Sequence, residues 1–345
     1  MTRALIDARF VPEVAELAAL ADHLPAGALE RLRIAQKGEY TSMWPVSVFR
    51  RPGRPGAPDA GAALDRANVV LAVLDPGNAG TISGMANPYL AADLARATNA
   101  WSSARLERDE RLRGSIVIDP KNPDLAADEI RRAGEDPRMV QVLMAYPPEL
   151  LGDRSLHPVY AAAGELGLPV TLQASGAYTG VNKGLTAAGF PSSRLAHEAG
   201  WVHGAQPHLL SLLTEGTFAR FDQLIIVFDG FGVAWLPSLL WRLEAELRHW
   251  EGRRPPGLPD DPGRLVAERV RFTTAGLELP ADGERLATLL ATLEHRPVLV
   301  FGSGSADPRP GADELGRQLP ADWAAGVLAG HARTLFDSPD RAGAR

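Results

Sequence analysis

Eight short runs of β-branched and aliphatic residues recur along the chain, and amphipathic stretches separate them. The runs cover residues 4–10, 68–75, 113–119, 139–145, 169–175, 223–230, 269–276 and 297–304. The stretches at 87–109, 123–136, 157–167 and 238–250 carry apolar residues at helical spacing. Near-continuous apolar strands that alternate with helices indicate a parallel sheet covered by helices.

The number of these units favours one architecture for the sheet. Eight β/α units in 345 residues most simply close into a TIM-type (β/α)₈ barrel, a single α/β domain over residues 1–337. An open doubly wound sheet is the alternative, but no G-x-G-x-x-G phrase follows the first strand. Stretches rich in Gly and Pro near 50–62 and 252–263 are predicted to be insertions outside the barrel, and 338–345 to be a flexible tail.

The composition limits the classes of partner. The chain has a net charge of −6 at pH 7, and it contains no cysteine. No apolar run approaches the roughly 20 residues that a membrane span needs. We therefore expect no nucleic-acid partner, no membrane association, no disulfide and no zinc–thiolate site. The opening MTRALIDARFVPE is too short and too charged for a secretory signal, so we expect a cytoplasmic protein.

Polar residues stand where the predicted strands end, which is the edge at which TIM-type barrels carry their active sites. These residues are Asp7, Arg9, Asp75, Asp119, Tyr146, Gln173, Ser175, Asp229, Thr273, Thr274, Ser303 and Asp307. The set contains several carboxylates and no histidine, whereas catalytic zinc in hydrolases prefers imidazole ligands. Asp7 and Asp229 offer at most a weak oxygen site for a hard cation.

Three histidines in the phrase RLAHEAGWVHGAQPHLL form a second possible ligand cluster. His197, His203 and His208 are spaced by six and five residues, which does not place all three on one helix face. We expect His208 to begin a helix near the rim of a pocket and the other two to lie in a loop. A metal site among them is therefore not predicted.

Several phrases of the chain resemble one enzyme family in the same order. They are RLRGSIVIDPKNPDLAADEIRRAGEDPRMVQVLMAYPPELLGDRSLHPVYAAAGELGLPVTLQAS (111–175), LLSLLTEGTFARFDQLIIVFDGFGVAWLPSLLWRLEAELRHW (209–250), RVRFTTAGLELP (269–280) and GHARTLFD (330–337). They are similar to the amidohydrolase-2 family of the amidohydrolase superfamily, in the branch of the aminocarboxymuconate-semialdehyde and hydroxybenzoate decarboxylases. The resemblance implies a (β/α)₈ barrel, a small carbonyl or carboxylate substrate, a single divalent metal and pairing of barrels.

The chain departs from this family where the family binds its metal. The family pattern has His-x-His after strand 1, where this chain has Arg9 and Val11, and a histidine after strand 5, where it has Gln173. After strand 8 the family has Asp in a Ser-Asp-x-Pro-His phrase, whereas this chain has Gly304, with Asp307 displaced. We therefore predict a degenerate metal site, with no metal and no other cofactor.

Three of the polar residues at the strand ends each have a functional and a structural interpretation. Arg9 either replaces the charge of the metal and binds a substrate carboxylate, or forms a salt bridge with Asp7, Asp75 or Asp229. Gln173 either orients a substrate or bonds neighbouring backbone, and Asp229 either acts as a general base or pairs with Arg9. The catalytic candidates are Asp229, Arg9 and Gln173, and the substrate-binding candidates are Asp7, Asp75, Tyr146, His208 and Ser303.

Three functions fit this pattern. The first is a non-catalytic barrel that partners an intact homologue or itself in small-molecule, specialised metabolism. The second is a metal-independent hydrolase, lyase or cyclase that acts on a small carboxylate or aromatic substrate through Arg9, Gln173 and Asp229. The third, ranked last because no output domain is recognisable, is a small-molecule sensor. We expect an oligomer, most simply a dimer, with the tryptophans of segment 234–250 in the core and the interface.

Overall fold

The computed structural model describes residues 4–36, 59–147, 149–175, 193–280, 283–293 and 298–336. Within these ranges, eight parallel strands form one sheet in sequence order. They are β1 Leu5–Phe10, β2 Val69–Leu74, β3 Leu112–Val117, β4 Met139–Met144, β5 Val170–Gln173, β6 Ile226–Asp229, β7 Val270–Thr273 and β8 Val298–Val300. Each strand overlaps one predicted run, and β3 begins one residue before its run.

The sheet closes into a barrel through hydrogen bonds between β1 and the segment that follows β8. Ala8 N donates to Phe301 O at 2.8 Å, and Gly304 N donates to Arg9 O at 2.9 Å. Because β8 has only three residues, the small residues at 302–305 complete this seam. The predicted (β/α)₈ barrel is confirmed.

Fifteen α-helices lie in the described ranges, and those that follow the strands cover the outside of the sheet. They are α1 Ala28–Gln36, α2 Ala60–Ala67, α3 Ala79–Gly84, α4 Pro88–Leu106, α5 Pro123–Ala133, α6 His157–Glu165, α7 Arg194–Gly200, α8 Ala205–Thr214, α9 Thr217–Arg220, α10 Leu236–Arg248, α11 Pro262–Arg269, α12 Gly283–Ala291, α13 Arg309–Gln318, α14 Ala321–Ala325 and α15 His331–Phe336. Short 3-10 turns occur at Ala21–His23, Arg154–Leu156 and Trp201–Gly204, and a π-turn occurs at Gly326–Gly330. None of these helices is long and apolar enough to cross a membrane.

Three of the helices begin with the same local signal. Asn87, Asn122 and Asp261 cap α4, α5 and α11 with side-chain oxygens that accept backbone N–H groups, and proline follows each of them directly. Because Asp261 and Pro262 start α11, the insertion predicted at 252–263 ends at residue 261. The insertion predicted at 50–62 also ends earlier than expected, because residues 60–62 belong to α2. Residues 50–58 of that insertion and the predicted tail at 338–345 lie outside the described residues.

Two clusters of buried apolar side chains form the core. The larger one packs the helices against the sheet and includes Trp101, Tyr160 and Phe228. The smaller one joins side chains from β1, β2, β4, β6 and β8 with residues of α15. Strands that are not neighbours in the sheet can share a cluster only across the barrel interior, as in the layered filling of TIM-type barrels. This apolar filling leaves the polar groups at the strand ends.

The tryptophans of the α10 region divide between core and surface. Trp235 is buried, and its ring packs edge-on against Phe228 and Phe272. Trp241 and Trp250 are 53% and 59% exposed, so they are available to an interface. The helix itself begins at Leu236, two residues before the predicted stretch.

Candidate functional site

Four side chains from β1, β2, β5 and β6 meet at the C-terminal end of the barrel. Arg9 Nε donates a hydrogen bond to Asp75 Oδ2 at 3.0 Å. Arg9 Nη1 forms an ion pair with Asp229 Oδ2 at 3.2 Å. Both carboxylates are buried, whereas the Arg9 side chain is 23% exposed. The salt bridge that the sequence suggested for Arg9 is therefore present, and its partners are Asp75 and Asp229.

Gln173 holds the two carboxylates together. Its Nε2 donates to Asp75 Oδ2 at 2.7 Å and to Asp229 Oδ2 at 3.3 Å. Ser175 Oγ donates to Gln173 Oε1 at 3.0 Å, and this bond agrees with the orientation of the amide. Gln173 thus bonds the acidic side chains rather than the neighbouring backbone that the structural interpretation proposed.

Thr273, one of the strand-end polar residues to which no role was assigned from the sequence, completes the cluster. Its Oγ1 donates to Asp229 Oδ1 at 2.6 Å and accepts the N–H of Gly230 at 3.3 Å. The register of the sheet brings Thr273 to this place. Phe228 of β6 pairs with Phe272 of β7, so Asp229 and Thr273, which follow them, lie side by side. Thr273 therefore turns Asp229 so that its other oxygen faces Arg9.

Burial and charge act in opposite directions on the ionisable groups of this cluster. Burial raises the pKa of Asp229, and the positive charge of Arg9 and the hydrogen bonds only partly offset that effect. Burial works to lower the pKa of Arg9, but the charges of Asp229 and Asp75 outweigh it, so the pKa of Arg9 is raised. The guanidinium is therefore a permanent positive charge at the barrel mouth.

Asp7 does not share the side-chain bonds of this cluster. Its two oxygens accept Ser303 N at 2.9 Å and Ser303 Oγ at 2.6 Å, and Oδ1 also accepts the backbone N–H of Arg9 at 3.0 Å. Burial raises the pKa of Asp7 to about 6, although the bonds from Ser303 oppose the shift. Asp7 and Ser303 thus connect β1 with the segment after β8. Their substrate-binding roles remain predictions.

A glycine after β8 lets the chain pass close to Arg9. A Cβ at Gly302 would lie 3.3 Å from both Arg9 Cβ and Thr273 Cβ, which is tighter than ordinary contact. Gly230 and Gly304 have φ +88° and +58°, a backbone conformation that favours glycine, and a Cβ at either would only be in ordinary contact with Arg9, at 3.5 Å from Nη1 and 3.9 Å from Cζ. The small residues after β8 therefore serve barrel closure and the close approach of the chain to Arg9.

Asp119, at the end of β3, pairs with a lysine of its own loop. Lys121 Nζ donates to Asp119 Oδ1 at 2.5 Å, and also to the carbonyl oxygens of Ile82 at 3.2 Å and Ser83 at 2.6 Å. These carbonyls belong to the end of α3, so Lys121 caps that helix. Asp119 thus lies at a strand end, as predicted, but its side chain pairs with Lys121, which follows it by two residues.

Tyr146 and His208 form an aromatic contact beside the cluster. Their ring centroids are 5.5 Å apart, and Tyr146 also packs edge-on against Phe231, which follows Asp229 by two residues. Leu151 N donates to His208 Nδ1 at 3.3 Å. Burial lowers the pKa of His208 to about 4, so the ring is neutral at physiological pH. Substrate binding by Tyr146 or His208 remains a prediction.

The other two histidines of the phrase after β5 lie in helical structure, contrary to the loop predicted for them. His197 belongs to α7, and His203 belongs to the 3-10 turn Trp201–Gly204. His208 is the fourth residue of α8, close to the predicted helix start. Among the residues that the structure describes, no group of three or more His, Cys, Asp and Glu side chains is placed to hold a metal ion.

Comparisons with known proteins agree with the barrel. A family model described as Amidohydrolase matches residues 23–274. The 5-carboxyvanillate decarboxylase from Sphingomonas paucimobilis has a TM-score of 0.66 at 20% sequence identity, covering 97% of this chain and 99% of that chain. The dihydroxybenzoic acid decarboxylase from Polaromonas sp. JS666, solved with manganese and 2-nitroresorcinol, has a TM-score of 0.67 at 16% identity, covering 98% and 99%. At these identities the structures share the fold.

A third solved structure also contains manganese and an aromatic ligand. The 5-carboxyvanillate decarboxylase from Novosphingobium aromaticivorans DSM 12444, in complex with manganese and 4-hydroxy-3-methoxy-5-nitrobenzoic acid, has a TM-score of 0.68 at 16% identity. The alignment covers 97% of this chain and 96% of that chain. A comparison with curated protein sequences finds no match.

The residues of this chain do not fit the metal that such barrels bind. The guanidinium of Arg9 lies between the carboxylates of Asp75 and Asp229, at the point toward which both Oδ2 atoms face. A divalent ion placed there would meet a fixed positive charge at contact distance, which is unfavourable in a buried site. Gln173 supplies an amide in place of an imidazole, and it too is bonded to both carboxylates.

Proposed function

The chain belongs to the amidohydrolase family, and we propose that it serves there as a non-catalytic, metal-independent barrel in small-molecule metabolism. One observation carries this proposal: Arg9 and Gln173, at the family's histidine positions, are both bonded to Asp75 and Asp229. A network of this kind balances one of the two carboxylate charges with Arg9 and hydrogen-bonds both carboxylates, so it holds the pair together without a metal.

The state of the carboxylate oxygens supports a non-catalytic role. Asp229 Oδ1 accepts Thr273, and its Oδ2 faces both Arg9 and Gln173. Asp75 Oδ1 accepts the N–H of Gly77 at 2.8 Å, and its Oδ2 accepts Arg9 and Gln173. A general base needs an oxygen directed at the proton that it removes, and all four oxygens here are already engaged.

We extend the proposal to a partner. A barrel that catalyses no reaction is retained in a pathway when it stabilises or regulates another subunit. The proposed partner is an intact amidohydrolase homologue or a second copy of this chain. The exposed rings of Trp241 and Trp250 are apolar anchors of the kind that interfaces use. The proposed setting is the cytoplasm, with neither nucleic acid nor membrane as a partner.

A tagged copy produced in the source organism tests this proposal. We expect it to co-purify with an amidohydrolase that retains the histidine ligands, or as a homo-oligomer. The isolated chain should not decarboxylate 2,6-dihydroxybenzoate or 5-carboxyvanillate, whereas a complex with an intact homologue should be active only while the partner keeps its own ligands. Turnover by the isolated chain in the presence of a chelator, with no partner recovered, would contradict the proposal.

One observation favours a second candidate, a metal-independent hydrolase, lyase or cyclase. Arg9 Nη2 has no hydrogen-bond partner among the described residues, and the Arg9 side chain is partly exposed. A small carboxylate or aromatic substrate with a carbonyl oxygen could accept this donor, with Asp229 as the base and Gln173 orienting the substrate. Turnover that is abolished by Arg9→Lys and unaffected by chelators would favour this candidate over the first.

A further inference from the structure

We infer that the guanidinium of Arg9 is the resident cation of the barrel mouth, and that its presence excludes divalent metal ions from a pair of carboxylates that could otherwise bind one. The inference deepens the proposed function, because it names what replaced the metal. It concerns ion binding to the purified chain, so it is tested separately from partner binding and turnover.

The two carboxylates converge on one point. Asp75 Oδ2 and Asp229 Oδ2 lie 3.0 Å and 3.2 Å from nitrogens of the same guanidinium. Both oxygens also bond the single nitrogen Gln173 Nε2, at 2.7 Å and 3.3 Å. Two oxygens that contact the same two cationic or polar groups face a common volume, and Arg9 fills that volume.

Neighbouring residues would not fill the space that removal of the guanidinium creates. Gly230 and Gly304 approach Arg9 with no side chain, and the positive φ of both disfavours other residues there. The carboxylates are fixed by other contacts, since Gly77 N holds Asp75 and Thr273 Oγ1 holds Asp229. The pair would therefore stay in place and face an empty volume.

The chemistry of the remaining ligands selects a hard divalent cation. Carboxylate oxygens, with water as the further ligands, suit Mn²⁺, Mg²⁺ and Ca²⁺ better than they suit zinc. Two buried negative charges without a counter-ion repel each other, so a cation with two positive charges would stabilise the pair. Removal of Arg9 should thus convert a metal-excluding site into a metal-binding one.

Manganese titration of matched variants tests this inference. The parent, Arg9→Ala, Arg9→Lys and Arg9→Ala/Asp229→Asn are titrated with MnCl₂, and free Mn²⁺ is measured by electron paramagnetic resonance. Arg111→Ala is the control, because Arg111 has the same 23% side-chain exposure and pairs with Asp109 and Asp65 away from the mouth. We expect Arg9→Ala, which leaves the volume of the guanidinium open, to bind one Mn²⁺ at least about tenfold more tightly than the parent.

The same series shows which result would overturn the inference. The parent, Arg9→Lys, the double variant and Arg111→Ala should bind no stoichiometric Mn²⁺, and Mn²⁺ should raise the melting temperature of Arg9→Ala alone. If Arg9→Ala does not fold without metal, recovery of folded protein on refolding with MnCl₂ is the expected result. The inference is overturned if the parent binds one Mn²⁺ with Arg9 in place, or if Arg9→Ala neither binds Mn²⁺ nor folds in its presence.

Discussion

The substitution Arg9→Met should lower the free energy of unfolding by about 3 kcal/mol at neutral pH, because it leaves the buried carboxylates of Asp75 and Asp229 without their positive partner. Methionine has a similar length and no charge, so the change removes mainly the electrostatic contribution. Urea unfolding of the parent and the variant in metal-free buffer measures the difference.

Two further variants separate this effect from a general loss of packing. Arg111→Met removes an arginine that also contacts two aspartates, but Asp65 is largely exposed, so the cost should stay below about 1 kcal/mol. Adding Asp229→Asn to Arg9→Met removes one of the unpaired charges and should recover part of the lost stability. If Arg9→Met unfolds at the same urea concentration as the parent, the ion pair does not stabilise the barrel mouth.

Asp7→Asn and His208→Gln should change the pH dependence of stability in opposite directions. The folded-state pKa of Asp7 is raised from 3.8 to about 6, so its contribution is most favourable below pH 3.8 and is lost as the pH rises through 6. The folded-state pKa of His208 is lowered from 6.5 to about 4, so its contribution is present above pH 6.5 and is lost as the pH falls toward 4.

Comparison of each variant with the parent isolates these two groups from the rest of the chain. Between pH 4.5 and 6, the stability of Asp7→Asn relative to the parent should rise by about 1.5 kcal/mol, and that of His208→Gln should fall by a similar amount. Urea unfolding at several pH values within this window measures both slopes. Parallel curves for a variant and the parent would show that the residue does not titrate as its burial predicts.

The fold was predictable because the apolar periodicity of the chain is strong. Each of the eight strands falls on a β-branched run, and the Asn-Pro and Asp-Pro pairs mark the starts of three helices. The limits of the insertions were less predictable. The Gly- and Pro-rich composition continues through residue 263, whereas the cap at Asp261 already begins α11.

The membership of the site was predictable only in part. Position at a strand end brought Arg9, Asp75, Gln173 and Asp229 into one group, and the structure places these four together. The position of a residue at a strand end does not specify which group its side chain bonds. Asp119 pairs with Lys121.

Asp7 and Thr273 show the same limit. Asp7 bonds Ser303 across the barrel seam, and Thr273 joins Asp229 through the register of β6 and β7. Pairing of this kind depends on side-chain rotamers and on register, which the pattern of apolar residues does not contain.

We propose that a guanidinium with its two aspartates occupies the place at which related barrels hold a metal, and metal analysis of the parent chain tests this proposal most directly. The protein is produced in medium supplemented with manganese, zinc and iron, purified without chelators, and analysed by inductively coupled plasma mass spectrometry. We expect far less than one metal ion per chain. One manganese, zinc or iron ion per chain, retained through purification and lost in a variant that lacks Asp75 and Asp229, would contradict it.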